Sequence, residues 1–315
     1  MFRRLLVLLA PVALFAAGGV SAFLLFGGDA VGERAATVTP GAAVHTAAPA
    51  AVVEEPAPAQ VPPISRGARS QVIKDVLPSS VRIQLSAGGR TLRVASGVIL
   101  GFGEREAAEG GAPTRVGYVI TNAHVVEAPD PGVRYEVLVD RRGRTTNYPA
   151  RVVARGEVPE MDLALLEVPN LEGSAARLAD DADFELGDEV VAVGAPFGRG
   201  ISISSGIVSQ LQWDEAGAAQ GFKTDAPIGY GASGGGIFRV PDGKLLAVIE
   251  GYRTAKVSFP LAEKSYSFDV PMPGETFASP AAKVRAFLRS RGVAHLLADL
   301  FPPGSVQEPT RTAAR

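Results

Sequence analysis

The sequence predicts an all-β fold of two small antiparallel barrels, closed by a C-terminal helix and preceded by an apolar segment and a linker. Three observations carry this. Short β-branched runs recur in two groups of five or six between residues 81 and 271. Glycine (36 residues) and proline (24) are plentiful enough for the tight turns such a fold needs. With 46% apolar and 20% charged residues over 315 positions, the chain can bury a globular core.

From the N-terminus, Arg3 and Arg4 precede an uncharged, mostly apolar stretch from Leu5 to Phe26. At about 1.5 Å per residue, a helix of that length spans a bilayer core of roughly 30 Å. The two arginines would stay cytoplasmic and the rest would be exported. Two readings stand for residues 1–28: a transmembrane anchor, or a signal segment cut after Val20-Ser21-Ala22. The apolar run continues through Phe23-Leu24-Leu25-Phe26, longer than a signal needs, which favours the anchor. Residues 29–69 are rich in Ala, Pro, Gly and Val, a linker composition that builds no core. His45 falls there and is expected to be solvated.

Order is expected from about Gln71, with a short helix at 72–78 ending on proline. The first strand group is VRIQL (81–85), TLRVASGVIL (91–100), GYVITNAHVV (117–126), YEVLVD (135–140), PARVVA (149–154) and LALLEV (163–168). EVVAVG (189–194), ISISSGIVSQLQ (201–212), GGIFRV (235–240), KLLAVIEGY (244–252) and YSFDVP (266–271) form the second. Pro241-Asp242-Gly243 is a hairpin signal between two of them. A helical period follows at 280–300, broken by Gly292, with Leu296 and Leu297 placed to pack back; residues 301–315 read as a tail.

Absent residue types narrow the chemistry. There is no cysteine, which excludes disulfides, thiolate metal sites and cysteine nucleophiles. The three histidines, His45, His124 and His295, lie far apart, against a multi-histidine metal site. A net charge of −2 gives no general attraction to nucleic acid.

Three segments bear reactive groups. TNAHVV (121–126) sets His124 just after a strand, MDLALLEV (161–168) sets Asp162 just before one, and GASGGGIF (231–238) sets Ser233 in a glycine-rich turn. The spacings of 38 and 71 residues mean that only the fold can bring them together. A serine hydroxyl is a weak nucleophile until a base takes its proton. Histidine suits that role, and a carboxylate fixes its tautomer and stabilises the imidazolium. Each segment alone has a plainer reading: a structural histidine, a turn aspartate, a flexible loop. Their joint order and flanks are what is specific.

With these residues in view, the chain resembles the trypsin-like (chymotrypsin-fold) serine proteases, most nearly the HtrA/Deg group. VIKDVLPSSVRIQ (72–84), SGVIL (96–100), YVITNAHVV (118–126), DLALLEV (162–168), VVAVGAPFG (190–198), SSGIVSQL (204–211), TDAPIGYGASGGGIF (224–238) and LLAVIEGY (245–252) carry the likeness, over residues 70–290. It implies two six-stranded antiparallel β-barrels with the site between them, His124 and Asp162 from the first and Ser233 from the second. It also implies an oxyanion hole made by the backbone N–H groups of Gly231 and Ser233. The protease domain is placed at 70–300.

The sequence departs from that pattern in three places. Only about 25 residues follow position 290, so no PDZ-like domain is expected after the protease. GFGEREAAEGGAPTRV (101–116) reads as an enlarged solvated loop. Ala232 stands where the group usually carries Asn or Asp. Asp225 reads as an anchor of its own loop rather than a specificity residue, and Trp213 as a residue packed in the second barrel.

The expectation is a serine endopeptidase of the envelope, anchored by residues 1–28 with its catalytic domain in the periplasm or outside the cell. It needs no cofactor. Its expected partners are unfolded or exported polypeptides and the membrane, with no nucleic acid and, by the resemblance, a homotrimer. The alternatives are a catalytically silent binding or chaperone-like protein on the same fold, and an esterase using the same triad.

Overall fold

The computed structural model describes residues 66–106, 111–127, 132–180, 185–261, 264–303 and 305. The expected anchor at 1–28, His45 and most of the 29–69 linker and of the 301–315 tail lie outside the described residues. Among the described residues no helix is long and apolar enough to cross a membrane.

Helix α1 (Arg66–Val76) begins six residues before the helix expected at 72–78 and runs into a 3₁₀ turn at Leu77–Ser79, where Pro78 stops it. The first sheet follows: β1 (Ser80–Ala87), β2 (Arg90–Arg105), β3 (Thr114–Thr121), β4 (Arg134–Arg141), β5 (Arg144–Arg155) and β6 (Ala164–Pro169). Its spatial order is β1-β2-β3-β6-β5-β4, closed by antiparallel pairing of β1 with β4. The second sheet has β7 (Glu189–Gly194), β8 (Ser202–Trp213), β9 (Ala219–Thr224), β10 (Gly236–Arg239), β11 (Leu245–Leu261) and β12 (Lys264–Pro280). Its order is β10-β11-β12-β9-β8-β7, closed by β7 against β10. Helix α2 (Ala281–Ser290) and a 3₁₀ segment (Ala294–Leu300) end the ordered chain. Gly292, at φ +68°, makes the break between them.

Closure explains a feature of the strand sequences. A barrel strand packed only inward alternates apolar and polar residues, yet EVVAVG and LALLEV are apolar at successive positions. In β7, Val190 and Ala192 point into their own barrel, while Val191 and Val193 join a second layer between the barrels. In β6, Leu166 and Val168 face inward and Leu165 faces that layer. Burial on both faces calls for apolar side chains on both. The shared layer also holds Val98, Ile120, Phe238 and Val248, and from α2 Val284, Phe287 and Leu288. Leu297 is buried there and Leu296 packs against it, as expected.

Four expectations are corrected. The 101–116 stretch is largely strand: β2 and β3 stay paired from Gly101↔Tyr118 out to Arg105↔Thr114. The Arg115 guanidinium covers the Phe102 ring at 3.9 Å, shielding an aromatic on that projecting hairpin. Strand β9 (AQGFKT) was not expected, because Ala219 and Phe222 are its only buried apolar residues. Trp213 closes β8 and is 49% exposed, so it does not pack in the barrel. Last, β11 and β12 are 17 residues each, far longer than the runs read from sequence, and form a hairpin that extends beyond the barrel.

Candidate active site

The turn after β3 is fixed from both sides. Val125 and Val126 are buried in the first barrel and pin the chain beyond His124. Arg93, on β2, donates to the carbonyls of His124 and Val125. Asn122, fully buried, donates from Nδ2 to the Asp162 carbonyl at 2.8 Å, tying this turn to the start of β6.

Asp162 lies at that start and is 7% exposed. Its Oδ2 is 2.6 Å from His124 Nδ1, and its Oδ1 accepts the His124 backbone N–H at 2.9 Å. Burial pushes this carboxyl up. The hydrogen bonds from the His124 ring, the His124 N–H and the Ala123 N–H outweigh burial and hold the group below the ordinary carboxylate range. A carboxylate so held keeps its charge and leaves Nε2 of His124 facing the cleft.

Ser233 sits in the turn before β10. Gly231 and Gly234 have φ of +93° and +83°, values that favour glycine. At Gly234 a side chain would also run into the Ser96 carbonyl and the Thr121 hydroxyl. Ser233 Oγ donates to the Glu250 carbonyl at 3.1 Å. His124 and Ser233 line one cavity of about 510 Å³, together with Arg93, Gly231, Gly251 and Tyr252. In the turn, Ala232 N–H goes to the Gly229 carbonyl and Gly234 N–H to that of Ile249. The N–H groups of Gly231 and Ser233 have no acceptor among the described residues. Two free donors beside a hydroxyl can stabilise an oxygen that gains negative charge.

Sequence reasoning missed two residues. Ser96 on β2 holds the Ser233 turn across the barrel boundary. Its N–H donates to the Ser233 carbonyl at 2.9 Å and its Oγ to the Gly231 carbonyl at 2.6 Å. The same Oγ accepts Ala195 N–H at 2.8 Å. The only signal was its place in SGVIL, and a hydroxyl beside a glycine in a strand shows nothing of its partners. Glu250 is the second: its backbone carbonyl receives Ser233, while its carboxylate accepts from Ser279 Oγ and lies 3.5 Å from Lys283 Nζ on α2.

Other candidates fall outside the cleft. Asp225 accepts Ile207 N–H at 2.7 Å and anchors its loop, as its sequence position implied. His295 lies on the C-terminal 3₁₀ segment. Among the described residues no acidic or histidine cluster could hold a metal.

Two closed antiparallel barrels, with a His–Asp pair from one and a serine from the other facing one cavity, define the class as a chymotrypsin-type double barrel with a serine-hydrolase constellation. Comparison with known proteins narrows it: residues 95–248 match the trypsin-like peptidase domain. The chain therefore carries a trypsin-like peptidase domain, and its homologues are serine endoproteases of HtrA/DegP type. It is 38% identical over 136 residues to the periplasmic serine endoprotease DegP of Salmonella typhimurium, covering 42% of this chain and 27% of that protein. Over 230 residues it is 29% identical to the serine protease HTRA1B of Danio rerio, covering 70% of this chain and 40% of that one. The chain thus spans well under half the length of these relatives. In fold it is similar to an HtrA-type protease, AlgW with a tripeptide, at a TM-score of 0.50 and 24% identity, over 72% of this chain and 64% of that one.

Proposed function

We propose that the chain is a serine endopeptidase acting through Ser233, His124 and Asp162, with residues 70–300 as its catalytic unit. The observation that carries this is the His124–Asp162 pair at 2.6 Å, set in the same cavity as Ser233 and two N–H groups without acceptors. In the reaction, His124 Nε2 takes the Ser233 proton as Oγ attacks the scissile carbonyl. For this the hydroxyl rotates from Glu250 toward the imidazole. Gly231 and Ser233 N–H receive the tetrahedral oxyanion, an interaction worth roughly 3–4 kcal/mol for one such donor. His124, now an imidazolium stabilised by Asp162, gives its proton to the leaving amine. Water then repeats the cycle on the acyl-enzyme.

The substrates we infer are partly unfolded or exported polypeptides. The setting is the cell envelope, with residues 1–28 as a membrane anchor ahead of a linker and a homotrimer as the assembly. Periplasmic relatives and the uncharged run behind Arg3 and Arg4 support the setting and the anchor, and the trimer follows from the family resemblance alone. Replacing Ser233 by alanine removes one oxygen and should abolish casein cleavage with the fold intact by circular dichroism. Casein turnover by that variant at near the parental rate would refute the assignment. Turnover of short-chain esters without any casein cleavage would make the enzyme an esterase.

A further inference from the structure

Strand β11 breaks step at one residue. Val248 pairs with Ser279 and Ile249 with Ala278, but the next pair is Gly251 with Phe277, which leaves Glu250 without a partner in the ladder. Such a bulge bends the strand and re-aims the extra residue. Here it sends the two ends of Glu250 to different places. Its carbonyl accepts Ser233 Oγ at 3.1 Å. Its carboxylate turns toward α2, where Oε1 accepts the Ser279 hydroxyl and lies 3.5 Å from Lys283 Nζ. Glu250 and Lys283 line a cavity of about 800 Å³ that Lys223 and Glu275 also line.

Stability alone does not ask for this arrangement. The side chains of Glu250 and Lys283 are 16% and 13% exposed, and Ser279 is fully buried. A carboxylate taken that far out of water needs a counter-charge and a hydrogen bond. Apolar side chains of similar volume often serve stability as well as such a pair does. What the pair adds is direction. Two contacts converge on one oxygen and hold the Glu250 side chain from two elements, Ser279 on β12 and Lys283 on α2. The next residue is Gly251, which has no Cβ and restrains the peptide between them little from its own side. The direction of the Glu250 carbonyl is therefore set from the Glu250 side chain.

We propose that Glu250, Ser279 and Lys283 form a clamp that positions Ser233. With its carboxylate held, Glu250 keeps its carbonyl where the serine hydroxyl rests between turnovers, one rotation from His124. This deepens the endopeptidase reading and rests on it. The three are positioning residues, acting on the reacting oxygen only through that carbonyl. Without the clamp the carbonyl wanders and the hydroxyl spreads over rotamers that do not face the imidazole. Attack then slows while substrate binding stays.

A serine-directed fluorophosphonate tests this. Ser233 Oγ attacks phosphorus, fluoride leaves, and the serine proton passes to His124. The labelled fraction counts folded enzyme, and the labelling rate reads the geometry of attack. Lys283→Met should reach the parental labelled fraction at a rate lower by about 10-fold. Its kcat on a peptide should fall in step, with KM within about twofold of the parent. Lys283→Arg, which keeps a cation on α2, should recover most of the rate. Glu250→Gln keeps the shape and the Ser279 bond but not the charge, and its rate should fall between those of the parent and Lys283→Met. Lys223→Met is the comparison. It breaks another ion pair of the same cavity, with Glu275 at 2.8 Å, that does not include Glu250. It should label at the parental rate. Parental rates in both Lys283→Met and Glu250→Gln would overturn the proposal. So would equal slowing by Lys223→Met, the sign of a generally loosened barrel, or a loss confined to KM or to the labelled fraction. A parent that labels at Ser233 but leaves casein intact would fail the endopeptidase reading alone, with the clamp still judged by the same rates.

Discussion

Asp162 and Asp140 bear the clearest residue-scale consequences, because both carboxyls are held below the ordinary range for different reasons. For Asp140 the leading cause is its hydrogen bonds from the Arg82 side chain at 2.6 and 2.8 Å, against a smaller cost of burial. A carboxyl whose folded value lies below its unfolded one stabilises the fold above the unfolded value, near 3.9, and loses this as pH falls through the folded one. Melting temperature should therefore drop as pH falls below about 4. In Asp140→Asn that acid slope should be shallower, while the variant melts lower at pH 7. Equal slopes would remove Asp140 from the account. Asp162→Asn keeps the shape but offers His124 Nδ1 an amide; by the same logic kcat should fall by about 10⁴ with little change in KM, measured at saturating peptide. Ala232 is the other telling residue. It is 2% exposed and contributes to a small apolar cavity behind the nucleophile turn, about 190 Å³ in volume, shared with Ala192, Gly194 and Ile203. A methyl group there offers no counter-ion to an incoming ammonium, and a buried unpaired charge is costly. We predict no activation by a newly cut N-terminus. Proteins trimmed to begin at residue 61 or 64, or carrying an N-terminal tag, should turn over equally. Activity confined to one free N-terminus would contradict this.

Among the elements, α2 shows how a terminal helix serves a site it does not touch. Val284, Phe287 and Leu288 recur at helical spacing and are buried in the layer between the barrels. Lys283, on the next face, reaches Glu250, whose carbonyl receives Ser233. Truncating Phe287 to alanine should cost about 3–5 kcal/mol and lower the melting temperature by several degrees. A loss below about 1 kcal/mol by urea titration would mean the helix is peripheral. The helix was legible beforehand because its apolar residues repeat every three or four positions and Gly292 ends it. Eleven of the strands were equally plain from their β-branched or aromatic runs, most of them buried on one or both faces. Strand β9 was not, since Gln220 and Lys223 interrupt its two inward residues. The outer half of β11 escaped for the opposite reason, an exposed ribbon being under no demand to look like core, and the inner half of β12 because Pro273, Gly274 and Glu275 break its apolar run. His124, Asp162 and Ser233 stood out because their flanks are stereotyped. Ser96 and Glu250 did not, since one acts through contacts made 137 positions away in the chain and the other through its backbone.

For the molecule as a whole, the site is assembled across a joint. His124 and Asp162 are fixed to the first barrel and Ser233 to the second. Apart from the shared apolar layer, the named link at the cleft is Ser96, with two bonds into the serine turn. A displacement of about 1 Å at reacting groups can cost around 10² in rate. Turnover is therefore a gauge of how well two bodies fit, readable long before either comes apart. In rising urea, activity should decline at concentrations where far-UV circular dichroism has not yet moved, and Ser96→Ala should widen that gap. Coincident loss of both signals would show that the joint is as firm as the barrels it unites. Heat or mechanical strain would then act first as a brake on the proposed proteolysis, released when the halves settle back together.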